Sequence, residues 1–116
     1  MFQRDSPYDN LSRDELRYKS PEELFGKGRS MTTPFWVLGI LLFEAEIGFN
    51  PWATTLKTPV IEKFIKYYPV HFPDEKKVSE DFRDLIMNLL IKNPIQRLGS
   101  DFYEGEILDH PYFNSE

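Results

Sequence analysis

Thr33-Pro34-Phe35-Trp36-Val37-Leu38-Gly39-Ile40-Leu41-Leu42-Phe43-Glu44-Ala45-Glu46-Ile47-Gly48 reads as one helix with its own start and stop. Thr33 offers a side-chain oxygen to the free N–H groups of the first turn, and Pro34 fits the first helical position, where no N–H is needed. Gly48 supplies the left-handed residue that ends a helix. From Phe35 to Phe43 no polar side chain interrupts the run. An amphipathic stripe is therefore absent, and the pattern predicts a core helix surrounded by other elements. The run falls short of the roughly 18 to 20 apolar residues that span a bilayer, and Glu44 and Glu46 break it, so no membrane segment is expected.

On either side the chain repeats the grammar of helices. Ser20-Pro21-Glu22-Glu23 is a capping box with Pro at the first helical position, stopped by Gly26 and Gly28. Residues 1–17 are polar and dense in charge, with too little apolar periodicity to anchor themselves, and read as an arm. Phe49-Asn50-Pro51-Trp52 is a turn, and Thr58-Pro59 opens a second helix with apolar residues at Val60, Ile61, Phe64, Ile65 and Tyr68. Ser79 caps the clearest amphipathic helix, whose Phe82, Leu85, Ile86, Leu89 and Leu90 follow the i, i+3, i+4, i+7, i+8 series until Asn93-Pro94 ends it. A short helix is expected around Glu104 to Asp109, and His110-Pro111-Tyr112-Phe113 pins the end with two aromatics. No stretch alternates long enough for a strand, so the expected fold class is all-α.

Composition narrows the function. A chain of 116 residues with 41% hydrophobic side chains supports one core. The net charge of -5 gives no broad positive field for a phosphate backbone, so nucleic acid is not an expected partner. The absence of cysteine removes disulfides and thiolate chemistry, and His71 and His110 are too far apart in sequence to suggest a metal site. No signal-peptide pattern opens the chain, which sets an intracellular, cytoplasmic location as the default expectation.

Four landmarks carry a specific likeness: Ser20-Pro21-Glu22, Phe35-Trp36-Val37-Leu38-Gly39, Pro94-Ile95-Gln96-Arg97-Leu98-Gly99 and His110-Pro111-Tyr112-Phe113. In that order and spacing they resemble the C-terminal lobe of a eukaryotic Ser/Thr protein kinase domain of the AGC group. The resemblance covers residues 18–113 as a partial kinase domain, leaving 1–17 as the end of an activation segment and 114–116 as a tail. It implies an all-α lobe of helices EF, F, G, H and I with no N-lobe, and it makes the helix around Trp36 and Gly39 the scaffold helix F. It further implies that Glu22, at the glutamate of the family's Ala-Pro-Glu, pairs with Arg97 in the loop after helix H, as a buried pair.

Phosphoryl transfer needs a glycine-rich loop, a strand lysine, a catalytic aspartate with its asparagine, and a metal-binding Asp-Phe-Gly. None can be placed here. Gly26-Lys27-Gly28 has no strand before it, and Asp101-Phe102-Tyr103 lies at the wrong end of the domain. The resemblance also exposes departures: Pro34 stands where the family's helix F carries an aspartate, and Asp14-Glu15 stand where it shows Gly-Thr. The expectation is thus no catalytic residue, no metal site and no cofactor in this chain, although the family uses ATP and Mg. A protein-binding or regulatory module is expected, with a partner surface drawn from Pro34, Leu38, Leu41, Trp52, Tyr67 and Tyr68. The alternatives are a fragment of an active ATP-dependent Ser/Thr kinase and a structural subunit of an assembly. Ser6, Tyr8 and Ser12 are candidate phosphorylation positions, able to pair with Arg4, Arg13 or Arg17.

Overall fold

A computed structural model describes residues 12–52, 57–74, 77–100 and 105–114. Every regular element among them is helical: α1 (Arg13–Leu16), α2 (Pro21–Leu24), α3 (Thr33–Ile47), α4 (Thr58–Tyr67), α5 (Glu80–Leu89), α6 (Gly105–Leu108) and α7 (Pro111–Asn114). The expected all-α lobe is what the chain builds. Ser6, Tyr8, the Asp101-Phe102-Tyr103 segment and residues 115–116 lie outside the described residues.

The central run is α3, ended by Gly48 at φ 104°, whose N–H donates to Glu44 O at 2.9 Å. Its start differs from the expectation. Thr32, not Thr33, occupies the cap position and makes no side-chain cap bond; its hydroxyl donates to Pro94 O at 2.8 Å, while that of Thr33 donates to Glu22. Enclosure differs too. Trp36, Gly39, Ile40, Phe43 and Ile47 are buried along one face, whereas Pro34, Leu41 and Ala45 are exposed and Leu38 is half-buried. The uniform hydrophobicity of α3 therefore does not report uniform burial: its packing comes mainly from α5, on one side. Burying each of Ile40, Phe43 and Ile47 contributes roughly 1.5–3 kcal/mol.

The α3–α5 contact is set by Gly39. A Cβ there would sit 2.9 Å from Leu89 Cβ and 2.9 Å from Leu90 Cδ2, so only glycine lets the two helices approach this closely. Helix α5 is capped as its sequence requires, Ser79 Oγ accepting the Phe82 N–H at 3.0 Å, and it buries Phe82, Leu85, Ile86 and Leu89. It ends at Leu89, before the expected Asn93-Pro94 stop. An aromatic series, Phe43 to Phe72 to Phe82 to Tyr112, with ring centroids 5.6, 6.3 and 5.6 Å apart, carries the core from α3 to α7.

Two further segments depart from their patterns. Within the expected arm, Ser12 and Glu15 form a reciprocal cap, Ser12 N–H to Glu15 Oε1 at 3.0 Å and Glu15 N–H to Ser12 Oγ at 3.2 Å. That turn buries Leu16, one apolar side chain sufficing to dock α1 beside α4. On α4 the buried face is narrower than the five apolar positions suggest: Ile61 and Ile65 are enclosed, while Phe64 and Tyr68 pair with each other at the surface, centroids 5.1 Å apart.

Gly39→Ala tests the close approach. Alanine gains up to about 1 kcal/mol of helix propensity, but overpacking typically costs roughly 1–3 kcal/mol, and Leu89 Cβ, fixed to a helix backbone, cannot swing aside. Urea unfolding is expected to show a net loss of about 1–2 kcal/mol by this balance; a variant as stable as the parent would contradict the packing.

Candidate functional site

The site is built on α2. Its capping box is complete, Glu23 N–H to Ser20 Oγ at 3.3 Å and Ser20 N–H to Glu23 Oε1 at 2.9 Å, which fixes the single helical turn and turns Glu22 inward. Arg97 meets it from the loop after α5. Its Nη1 donates to Glu22 Oε2 at 2.9 Å and its Nη2 to Glu22 Oε1 at 2.8 Å, a bidentate pair across 75 positions of chain. The other three N–H groups go to backbone carbonyls: Nε to Ile91 O at 3.0 Å, Nη1 to Thr32 O at 3.2 Å and Nη2 to Lys92 O at 3.3 Å. All five guanidinium donors are thereby used. The carboxylate is equally committed, Oε2 accepting from the Thr33 hydroxyl at 2.6 Å and the Ser30 hydroxyl at 3.0 Å.

Aromatic faces complete the shell. The Arg97 guanidinium lies 5.0 Å from the Trp36 ring centroid, and Trp36 stacks on Trp52 at 5.9 Å with planes 10° apart. Lys92 Nζ lies 4.4 Å from the Trp52 centroid and 5.3 Å from that of Trp36, and donates to Phe64 O at 3.2 Å. Trp52 is therefore core, contrary to its expected place on a partner surface, because the stack with Trp36 removes it from solvent.

Electrostatics follow from this geometry. Burial pushes the Glu22 carboxyl up, but the hydrogen bonds from Arg97 and Thr33, with the Arg97 charge, outweigh it and hold the group at about 2. A carboxylate so held cannot act as a general base near neutrality. Burial, reinforced by the Arg97 charge, lowers the Lys92 ammonium to about 7. A second acid and base pair, His110 Nε2 with Asp84 Oδ2 at 2.7 Å, is also structural: His110 Nδ1 accepts the Tyr112 N–H at 3.0 Å, so both ring nitrogens are occupied in docking α7 to α5. Among the described residues no three His, Asp or Glu side chains converge as a metal site.

The residues singled out in the sequence fall into two groups. Glu22, Arg97, Trp36 and Gly39 belong to the buried scaffold. Pro34, Leu41 (50% exposed), Tyr67 (62%) and Tyr68 (53%) are at the surface, on two different helices, with Leu38 half-buried. Ser30, Thr32, Thr33 and Lys92 were not anticipated, since short hydroxyl side chains and a loop lysine carry no periodic signal.

An all-α lobe whose short helix α2 is held through a glutamate to an arginine beyond α5, the last long helix among the described residues, defines a class, the C-terminal lobe of a protein kinase domain. Comparison with known proteins agrees: residues 4–113 match the protein kinase domain family. The chain is 38% identical over 96 residues to the serine/threonine-protein kinase YPK2/YKR2 of Saccharomyces cerevisiae, covering 83% of this chain and 14% of that protein. It is 33% identical over 96 residues to Flippase kinase 1 of the same yeast, covering 83% and 11%. The serine/threonine-protein kinase KIPK2 of Arabidopsis thaliana is 34% identical over 96 residues, covering 83% and 10%. The chain belongs to the protein kinase family, with serine/threonine kinases among its relatives, and spans about a tenth to a seventh of the length of these relatives.

Breaking one partner of a buried ion pair typically costs roughly 3–5 kcal/mol, because the other charge is stranded. Arg97→Ala is expected to lose that much in urea unfolding or to fail to fold, and melting within a degree or two of the parent would contradict the pairing. The pH dependence has a definite sign. Glu22 is lowered in the folded state, so its contribution is present above the ordinary carboxylate range and is lost as pH falls from about 4.5 towards about 2. Glu22→Gln is expected to flatten the fall in stability across that window; an unchanged acid slope would contradict the assignment.

Proposed function

We propose that this chain is a scaffold portion of a Ser/Thr protein kinase domain that performs no phosphoryl transfer by itself and acts by binding another protein. The observation that carries this reading is the commitment of the buried Glu22 carboxylate and His110 imidazole to structure. Glu22 is locked by Arg97, Thr33 and Ser30, and His110 is locked by Asp84 and Tyr112. Pro34, at the place where the family's helix F carries an aspartate, offers no side-chain acceptor. Apolar surface on α3, with Pro34 and half-exposed Leu41, supports the partner role, since contiguous exposed apolar patches mark interaction sites.

A second reading has its own support: the relatives are several times longer than this chain and are serine/threonine kinases by name. In that reading the same lobe is part of an active enzyme, and nucleotide and Mg are bound by residues outside this sequence. The size of the native polypeptide, by immunoblot or intact mass, separates the two.

For the isolated chain, Mg-ATP is expected to leave the melting temperature unchanged, because a ligand raises it only by binding the folded state and this reading gives the chain no nucleotide site. A reproducible shift of several degrees would overturn the inactive reading. Leu41→Lys is expected to reduce binding of a hydrophobic dye with little change in melting temperature, since the side chain lies on the open side of α3. Dye binding equal to the parent's would remove α3 from the partner surface.

A further inference from the structure

A cleft of about 560 Å³ opens between α2 and the loop after α5, beside the buried ion pair but outside it. Its walls are divided. Phe25, Pro94 and Ile95 are apolar, with Phe25 47% and Ile95 80% exposed, whereas Lys27, Lys92 and Asn93 are polar or charged. Glu22 is the one acid among the lining residues, and both its oxygens are already taken by Arg97. The cleft is thus lined by two lysines and no available carboxylate, in a chain whose net charge is -5.

Lys92 is the unusual member. Among the described residues it has no carboxylate partner, and the cation nearest to it in effect is the Arg97 guanidinium. An ammonium carries three donors, of which Phe64 O takes one. The ring faces of Trp36 and Trp52 offset part of the cost of burying it, but a half-buried charge without a counter-ion is an electrostatic deficit that an anion would fill. The ionisable groups of the surrounding elements do not fill it. From α2, Glu22 is spent on Arg97, and on α4 Glu62 pairs with Lys66 at 2.7 Å, Lys66 itself lying over the Phe25 ring. Tyr67, at the end of α4, meets Phe25 edge-on.

We propose that this cleft binds a small amphiphilic carboxylate, its anionic head between Lys92 and Lys27 and its apolar body against Phe25, Pro94 and Ile95. The volume lies within the range of small-molecule sites, roughly 300–1,000 Å³. The proposal does not depend on whether the lobe acts alone or within a longer kinase. Binding is linked to protons in a definite direction. Because burial and Arg97 lower the Lys92 ammonium to about 7, a bound carboxylate restores the charged form, so binding at pH 8 takes up protons and weakens as pH rises.

The chain supplies its own reporter, since its only two tryptophans both face Lys92. Titration with 4-phenylbutyrate, followed by tryptophan fluorescence and by calorimetry in buffers of differing ionisation heat, is expected to saturate. The uncharged 4-phenylbutanol is expected to bind about tenfold more weakly, as for a lost charged hydrogen bond. Lys92→Met keeps the aliphatic stem and is expected to abolish both the affinity difference and the proton uptake; Lys27→Met, at an exposed position, is expected to weaken binding about threefold, as a rim charge does. Circular dichroism of both variants checks that they are folded. Absence of saturable binding, equal binding of acid and alcohol, or a folded Lys92→Met variant that binds the acid as the parent does would each overturn the proposal. Binding of an acidic peptide in place of the small acid would also overturn it.

Discussion

The five donors of one guanidinium organise this lobe. Arg97 reaches Glu22 on α2, the Thr32 carbonyl at the start of α3, and the Ile91 and Lys92 carbonyls of its own loop, so three segments distant in sequence share one planar group. A buried carboxylate or guanidinium alone would be costly, and here neither is alone. The pair need not add net stability over an apolar substitute. What it does is fix geometry: the fork permits one orientation of α2 relative to the loop, and lysine, a point charge with three donors, could not reproduce it.

Much of this was legible in the chain. The Ser20 capping box, the Ser79 cap with its five-residue apolar series, and the Gly48 stop are local signals whose physics is complete within a few residues, and each forms as read. The four landmarks pointed to the lobe as a whole and to the residues Glu22 and Arg97. Other features depend on what lies opposite, which no local pattern contains. Phe35 to Phe43 is apolar throughout, yet α3 is buried on one face, because hydrophobicity permits burial and only neighbours accomplish it. Trp52 reads, with Tyr67 and Tyr68, as part of a partner surface, but its place is decided by Trp36, sixteen positions earlier. Leu16 docks an arm that composition alone leaves free.

The site shows the same division. Thr33 reads as a helix cap, but it lies one residue inside α3, where its hydroxyl accepts the Ser30 N–H and donates to Glu22. Lys92 carried no signal, since a loop lysine ordinarily reads as a solvated charge. Its partial burial between the tryptophan pair and the end of α4 is a consequence of where Arg97 pulls the loop. The network that holds the lobe together therefore also produces the half-buried cation beside the cleft. Scaffold and site are coupled through one loop.

The most direct test of this account is the coupling free energy between Glu22 and Arg97, from a double-mutant cycle of Glu22→Gln and Arg97→Met in urea unfolding. If the pair is a single buried unit, the double variant loses far less than the sum of the single losses, with a coupling of about 2 kcal/mol or more, as contacting charged groups show. Additive losses, with coupling near zero, would mean that the two side chains act independently and that the lobe is held by its apolar core alone.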